Sequence, residues 1–414
     1  MGERVAVAGV GHTNFNSGTP ELGWKELMYE ACSQAYNDAG VDARRDIDSF
    51  LTCAEDFWEG FSIYDEFVPD QLGSLLRPTG TVCGDGIFGL GNAYMQIKTG
   101  QFDVVAVEAH SKSSDLLNHE DITLFAMDPV FNRPLTGDEE RGPRGEQFIP
   151  LSDADSPEFD PEKRPKRTHP YFLAGLEMQK YLAENPVTEE DCARVAVKNK
   201  NNALENPLAV YENPLTLENV MNSEALFEPL KKDEISQTAD AAITFVLASE
   251  DVVDDYTDNY VWLDGFGWNS DSPRIETRDL NAKYCRRAAE MAYDMAGINV
   301  PKEQIDFAEV DDRFSYKELQ HLEALRLCRE GEAGKVVRDG SLEPEGTLPV
   351  NTSGGSLGVG NLVEATGLQK ALEVVLQLRG DAGKRQLDDV ETGLAQSWRG
   401  VPTATGAVSI LSSR

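Results

Sequence analysis

Cys83 is the residue of this chain best placed to do chemistry. It follows a turn at Arg77-Pro-Thr-Gly80 and immediately precedes Gly84-Asp-Gly86, where a helical pattern begins. A helix start presents unpaired N–H groups and partial positive charge, which favour a thiolate. The flanking glycines let a carbonyl group approach the backbone, whose N–H groups can form an oxyanion hole. The bland alternative is a small thiol packed inside a turn, and position alone leaves the two readings level. The other cysteines, at 32, 53, 192, 285 and 328, form no CxxC pair and no cluster with histidine. That argues against a structural zinc site and for a reducing compartment.

Acid–base candidates are few. The histidines are residues 12, 110, 119, 169 and 321. His321 falls in an amphipathic helical pattern and reads as packing. His12 and His110 lie near strand ends, where a hydrogen-bonded structural role is expected. Gly9-Val-Gly11-His-Thr-Asn14 follows the first strand, but Asn14 stands where a dinucleotide fingerprint needs its third glycine. It reads as a tight strand-exit turn, with no Rossmann cofactor site. The chain holds no HExxH pair, Walker loop or EF-hand loop.

The elements that must position Cys83 repeat themselves. Ala35-Tyr36-Asn-Asp-Ala39-Gly40-Val41 with Ile47-Asp48 matches Ala292-Tyr293-Asp-Met-Ala296-Gly297-Ile298 with Ile305-Asp306. In each, a helix ends at a glycine suited to a C-cap and a short strand follows. Cys83-Gly-Asp-Gly86-Ile-Phe-Gly89-Leu-Gly91-Asn92 matches Ser353-Gly354-Gly355-Ser-Leu-Gly358-Val-Gly360-Asn361, each a Gly-rich turn opening into a helix. The same order in both halves predicts two related α/β halves. Strand-like runs fall at Val5–Val10, Asp103–Val107, Ala241–Ala248 and Ala407–Leu411. Helical patterns fall near 22–39, 86–98, 282–296, 316–330 and 362–378, which implies helices layered around sheets. Between the halves, 112–240 changes character, with charged Pro-rich stretches such as Asp160-Pro-Glu-Lys-Arg-Pro-Lys-Arg expected as surface loops over a substrate.

Composition narrows the partners. The 414 residues suit two or three domains, and 40% hydrophobic residues suffice for a sizeable core. A net charge of −34 repels phosphate backbones and anionic lipid, so neither nucleic acid nor membrane is expected as a partner. No apolar run reaches the roughly 18 residues of a membrane span. Met1-Gly-Glu-Arg leads straight into a strand, unlike a secretory signal, so a cytoplasmic location is expected. Acid spread along the whole chain reads as adaptation to a salty, halophilic cytoplasm; an ordinary acidic soluble protein is the alternative.

Taken together, these blocks resemble the thiolase superfamily, in its sterol-carrier-protein-type and archaeal acetyl-CoA acetyltransferase branch. The resemblance rests on the opening Val10-Gly-His-Thr-Asn-Phe15, on Val82-Cys83-Gly-Asp-Gly86, and on Gly100-Gln-Phe-Asp-Val-Val-Ala-Val. It continues through Thr188-Glu-Glu-Asp-Cys-Ala-Arg-Val-Ala-Val-Lys-Asn199, Asp240-Ala-Ala-Ile-Thr-Phe-Val-Leu-Ala-Ser and Asn351-Thr-Ser-Gly354-Gly355 to Ala365-Thr-Gly367. It implies an α/β thiolase fold of two pseudo-repeated halves in α-β-α-β-α layers with an inserted loop domain. The expected boundaries are 1–111 with 241–252 for the first half, 112–240 for the loop domain and 253–414 for the second half.

The resemblance also implies an acyl-CoA acyltransferase of lipid metabolism, with Cys83 accepting the acyl group and a coenzyme A thioester as substrate. No bound cofactor and no metal are implied. Glycines 354, 355, 358 and 360 would bind substrate, with backbone N–H groups near Gly355 to Gly358 and Asn361 around the thioester oxygen. Three family motifs are altered, and one loop-domain position with them. Asn361 in Gly360-Asn361-Leu362 replaces the activating histidine, and Asp311-Asp312-Arg313-Phe314 replaces a motif that begins with a neutral donor. Gln396-Ser397-Trp398-Arg399-Gly400 lacks the C-terminal Cys or His, and Lys200 stands at a loop-domain histidine position. Asparagine cannot accept a thiol proton, which leaves Asp311 as a candidate base. The alternative is a catalytically reduced subunit that binds acyl-CoA or scaffolds a partner such as an OB-fold zinc protein. A homodimer or tetramer is implied in either case.

Overall fold

The computed structural model of the chain describes residues 4–54, 64–115, 170–272, 281–400 and 403–414. Nine strands make one mixed sheet: β1 (Val5–His12), β2 (Ser49–Ala54), β3 (Thr79–Cys83), β4 (Val104–Ser111), β7 (Ala241–Ser249), β8 (Val261–Ser270), β9 (Phe307–Glu309), β10 (Thr392–Arg399) and β11 (Thr405–Ser412). A small ribbon in the insertion pairs β5 (Ala225–Phe227) with β6 (Leu230–Lys231). The sheet runs β3-β2-β4-β7-β1-β8-β11-β10-β9. Val350 adds a parallel bridge to Ala308 beyond β9. The second half therefore repeats the order of the first, and the halves meet where β1 and β8 pair antiparallel at Ala6↔Trp262 and Val7↔Val261.

The main helices are α1 (Trp24–Ala39), α2 (Gly86–Lys98), α3 (Pro170–Glu184), α4 (Glu189–Asn202), α5 (Lys283–Ala296), α6 (Ser315–Ala324), α7 (Gly355–Val359) and α8 (Thr366–Arg379). Strand alternation sends Val5 and Val7 into a central core shared with α2 and α8, while Ala6 and Ala8 pack outward beneath α1. In the second half Ala395 faces the same central core, whereas Leu394 and Trp398 face the outer core with α5 and the inserted helices. The layers are thus α1, sheet, α2 with α8, sheet, α5, which is the thiolase fold.

One packing device appears in both halves. A Cβ on Gly9 would lie 2.5 Å from Ala39 N, and one on Gly11 would lie 2.2 Å from Ala35 N. A Cβ on Gly265 or Gly267 would lie 2.2 Å from Ala292 O or 2.1 Å from Ala288 O. Missing side chains let α1 and α5 press directly on their strands. Gly9-Val-Gly11 accordingly lies inside β1 and not in an exit turn, because the strand continues to His12. Gly40 and Gly297 cap α1 and α5 at φ of 72° and 71°.

Two other expectations are revised. The helix read over 316–330 ends at Ala324, with Arg326 at φ 59° and Leu327 N bonded to Leu322 O at 3.0 Å. The second Gly-rich turn opens only a short helix, α7, and the long α8 starts at Thr366. The Asp160–Arg167 stretch, His119 and His169 lie outside the described residues.

Candidate active site

Cys83 ends β3, opposite Ala54 of β2, and is exposed. The remaining thiols are chemically quieter. Burial, with Glu108 adding, pushes Cys32 up to about 12. Burial pushes Cys328 up to about 12 as well, and raises Cys53, Cys192 and Cys285.

The helix start behind Cys83 is not the bare positive end expected from the sequence. Asp85 is the N-cap of α2, its Oδ1 accepting from Ile87 N at 3.2 Å. A Cβ on Gly367 would lie 2.9 Å from that carboxylate, and one on Gly86 would lie 2.2 Å from Leu368. The N-termini of α2 and α8 therefore converge, with a buried carboxylate between them. Asp85 meets the partial positive charge that was expected to act on Cys83.

β10 brings the C-terminal motif to the same place. Ala395, Ser397 and Arg399 alternate onto the central face, and Arg399 Nη1 reaches Cys83 O at 3.4 Å. The buried Ser397 hydroxyl has no hydrogen-bond partner among the described residues. Arg313 Nη1 donates to Gly400 O at 2.6 Å, and Asp311 N donates to Gln396 Oε1 at 2.9 Å. The 311–314 and 396–400 motifs are thereby bound to each other and to the Cys83 loop.

Asn361 is tied to the start of α8. Thr366 Oγ1 and Val363 N both donate to its Oδ1 at 3.1 Å. Its acceptor is thus occupied, leaving Nδ2–H groups as the chemistry it can offer. Its own N–H donates to Gln237 O at 2.8 Å.

The glycine loop does something other than expected. Gly354 N donates to Asn351 O, Gly358 N to Gly354 O and Gly360 N to Ser356 O. Gly355 N donates to Ser353 Oγ, while Ser356 N and Leu357 N donate to the Asp312 carboxylate at 2.6 and 3.1 Å. These N–H groups are taken within the fold, so the cradle expected from Gly354, Gly355, Gly358 and Gly360 is corrected. The glycines serve close packing. A Cβ on Gly354 or Gly358 would lie 2.5 Å from Ala203 Cβ, one on Gly355 2.2 Å from Asp312, and one on Gly360 2.8 Å from Ala239.

Asp311 is buried, and burial pushes its carboxyl up to about 6. Lys370 and Arg313 oppose the rise, and Asp312 adds to it. Lys200 donates to Tyr211 O at 3.0 Å, and burial lowers its pKa. His321 packs as expected, its Nδ1 on Asp311 O at 3.2 Å and its Nε2 on Tyr284 Oη at 2.8 Å. His110 is buried against Glu108, and His12 Nδ1 meets Thr13 O. Sequence reasoning missed Asp85, Asp312 and Lys370. Asp85 carried a signal, an N-cap residue one position before a helix; a buried lysine inside an amphipathic helix carries none.

A cysteine at a strand end, paired central helices and two repeated half-sheets give the architecture of the thiolase class. Residues 267–413 match the family described as thiolase C-terminal domain-like. The chain is 29% identical to the acetyl-CoA acetyltransferase of Methanothermobacter thermautotrophicus over 99% of both chains. It is 32% identical to sterol carrier protein 2 of Bos taurus over 53% of this chain and 41% of that one. It superposes on the Ltp2-ChsH2(DUF35) aldolase with a TM-score of 0.78 and 25% identity, covering 99% and 98% of the two chains. These likenesses support the thiolase superfamily, in its sterol-carrier-protein-type branch, as the family this chain resembles.

Proposed function

We propose that the protein is a thiolase-type acyl-CoA acyltransferase that carries the acyl group on Cys83. Cys83 Sγ attacks the thioester carbonyl, and coenzyme A leaves with the thiol proton. Asp311 takes a proton from the α-carbon of a second acyl-CoA. That carbon attacks the Cys83 acyl group and expels the thiolate. Asn361 Nδ2–H donates to the thioester oxygen where charge develops. The observation that carries the reading is the exposed thiol two residues before the point where two helix starts converge on Asp85, with Arg399 on its carbonyl. The likeness to an acetyl-CoA acetyltransferase along the full chain supports it. We expect acetyl-CoA in molar salt to add one acetyl group to the intact mass, and Cys83→Ala to abolish the addition. No adduct, and no cleavage of acetoacetyl-CoA, would end this reading.

A second reading follows from the occupied loop amides and the Asp85 carboxylate, which withhold help from the thiol. In it the subunit binds acyl-CoA without acylating Cys83 and acts with a partner. The similarity to an aldolase solved with a DUF35 protein is consistent with the OB-fold partner that the resemblance implies. Retained acyl-CoA binding without an adduct, with a zinc protein co-purifying from native extract, would favour it. In either reading we expect a homodimer or tetramer, which light scattering at high salt checks.

A further inference from the structure

Beneath the site lies a buried cluster of charges of which the steps above use only Asp311. Asp312 accepts from Ser356 N, Leu357 N and, at 2.8 Å, Asn199 Nδ2, and faces Lys370 Nζ at 3.3 Å. Glu318 accepts from Asn199 Nδ2 at 2.7 Å and Asn351 Nδ2 at 2.6 Å and pairs with Lys198 at 3.2 Å. Glu309 accepts from Ser353 Oγ at 2.6 Å. Glu309, Asp311, Asp312 and Glu318 are four buried carboxylates beside two buried lysines. Nearby Glu373 has its own partner in Arg385 at 2.8 Å.

An apolar interior does not hold surplus negative charge; some carboxyls there keep their protons. Which ones keep them depends on where the cations sit. Lys198 is committed to Glu318, whereas Lys370, on α8, interacts with Asp312, Asp311 and Glu309 together. The groups facing Asp311 can be named element by element. They are Lys370 from α8, Asp312 and Arg313 from its own loop, Gln396 from β10, Cys285 from α5, and His321 from α6 through the Asp311 carbonyl. Burial holds His321 neutral, so it adds no charge.

We propose that Lys370 and Asp312 are opposed positioning residues that set the charge of Asp311, Lys370 holding it ionised and Asp312 resisting. The inference deepens the reading of Asp311 as the base and takes its functional meaning from that reading. Without Lys370 the acid would stay protonated at working pH and could not accept a proton. Without Asp312 it would ionise more readily and be a weaker base.

The test reads Asp311 directly, as the protonated-carboxyl infrared band present in each protein and absent once Asp311→Asn is added to it. Relative to wild type, the pH midpoint of that band should rise by about one unit or more in Lys370→Gln and fall by about one unit in Asp312→Asn. Both substitutions break the same buried pair, so a purely structural role would move the two midpoints the same way or not at all. Either result overturns the proposal. Each variant decides by its own direction, so if one fails to fold the other still answers. Deuterium exchange into the acetyl-CoA methyl group, compared between wild type and Asp311→Asn, tests the base separately. Exchange that survives Asp311→Asn removes the base reading and leaves the midpoints to judge the charge-setting.

Discussion

Asp85→Asn isolates the charge at the meeting of the two central helices. The substitution keeps an oxygen for Ile87 N, so the N-cap bond at 3.2 Å can persist, while the negative charge goes. A charge at a helix terminus is worth about 0.3–1 kcal/mol, rising to ~2 kcal/mol when partly buried. Here the carboxylate is 2% exposed and lies against the starts of α2 and α8. With the carboxylate removed, those helix ends act on the Cys83 sulfur, two residues away. An anionic sulfur favoured by about 1 kcal/mol corresponds to roughly fivefold faster alkylation at pH 7. The assay is iodoacetamide labelling of native protein followed by intact mass, with Cys83→Ala subtracting any other thiol. The same loss of charge should destabilise the fold by about 1 kcal/mol in urea unfolding. Alkylation that is unchanged or slower in a folded Asp85→Asn protein would refute the idea that Asp85 restrains Cys83.

Other outcomes follow from the same geometry. Burial raises Asp311 from 3.8 to about 6, so its contribution to stability is fully present below pH ~4 and is lost as pH rises through about 6. That slope amounts to about 3 kcal/mol at most. Urea unfolding between pH 4 and 8 should show it in wild type and lose it in Asp311→Asn; parallel curves would contradict the buried assignment. Asn361→Asp keeps the acceptor for Val363 N and Thr366 Oγ1 but removes the Nδ2 donors. It should lower the rate of Cys83 acetylation about a hundredfold, and an undiminished rate would exclude Asn361 from the oxyanion site. Gly9→Ala and Gly267→Ala each drive a Cβ into helix backbone, at 2.5 and 2.1 Å. Each should cost about 1–3 kcal/mol or more, and an unchanged Tm would show that α1 or α5 can shift freely.

The sequence alone determined what depends on near neighbours and on repetition. Gly40 and Gly297 announce helix ends because the left-handed turn each supplies is local. The strands at Val5, Ala241 and Ala407 announce themselves because burial on both faces demands continuous apolar runs. Cys83 stood out because a thiol between a turn and a Gly-rich helix start is unusual wherever it is met. The repeat showed that two halves would fold alike. Tertiary structure decided which of these local promises survive. Asp312 and Ser356 are 44 residues apart in sequence, yet their bond removes the loop amides expected to hold a thioester oxygen. Lys370 looks like any lysine in an amphipathic helix until α8 is buried between the sheets, where its charge has to be answered by carboxylates from another loop. Hydrogen-bond capacity and charge are spent on whichever partner arrives in space. No spacing along the chain could say that the glycine loop had already given its donors to Asp312, or that Asp85 would meet the charge of two helices at once.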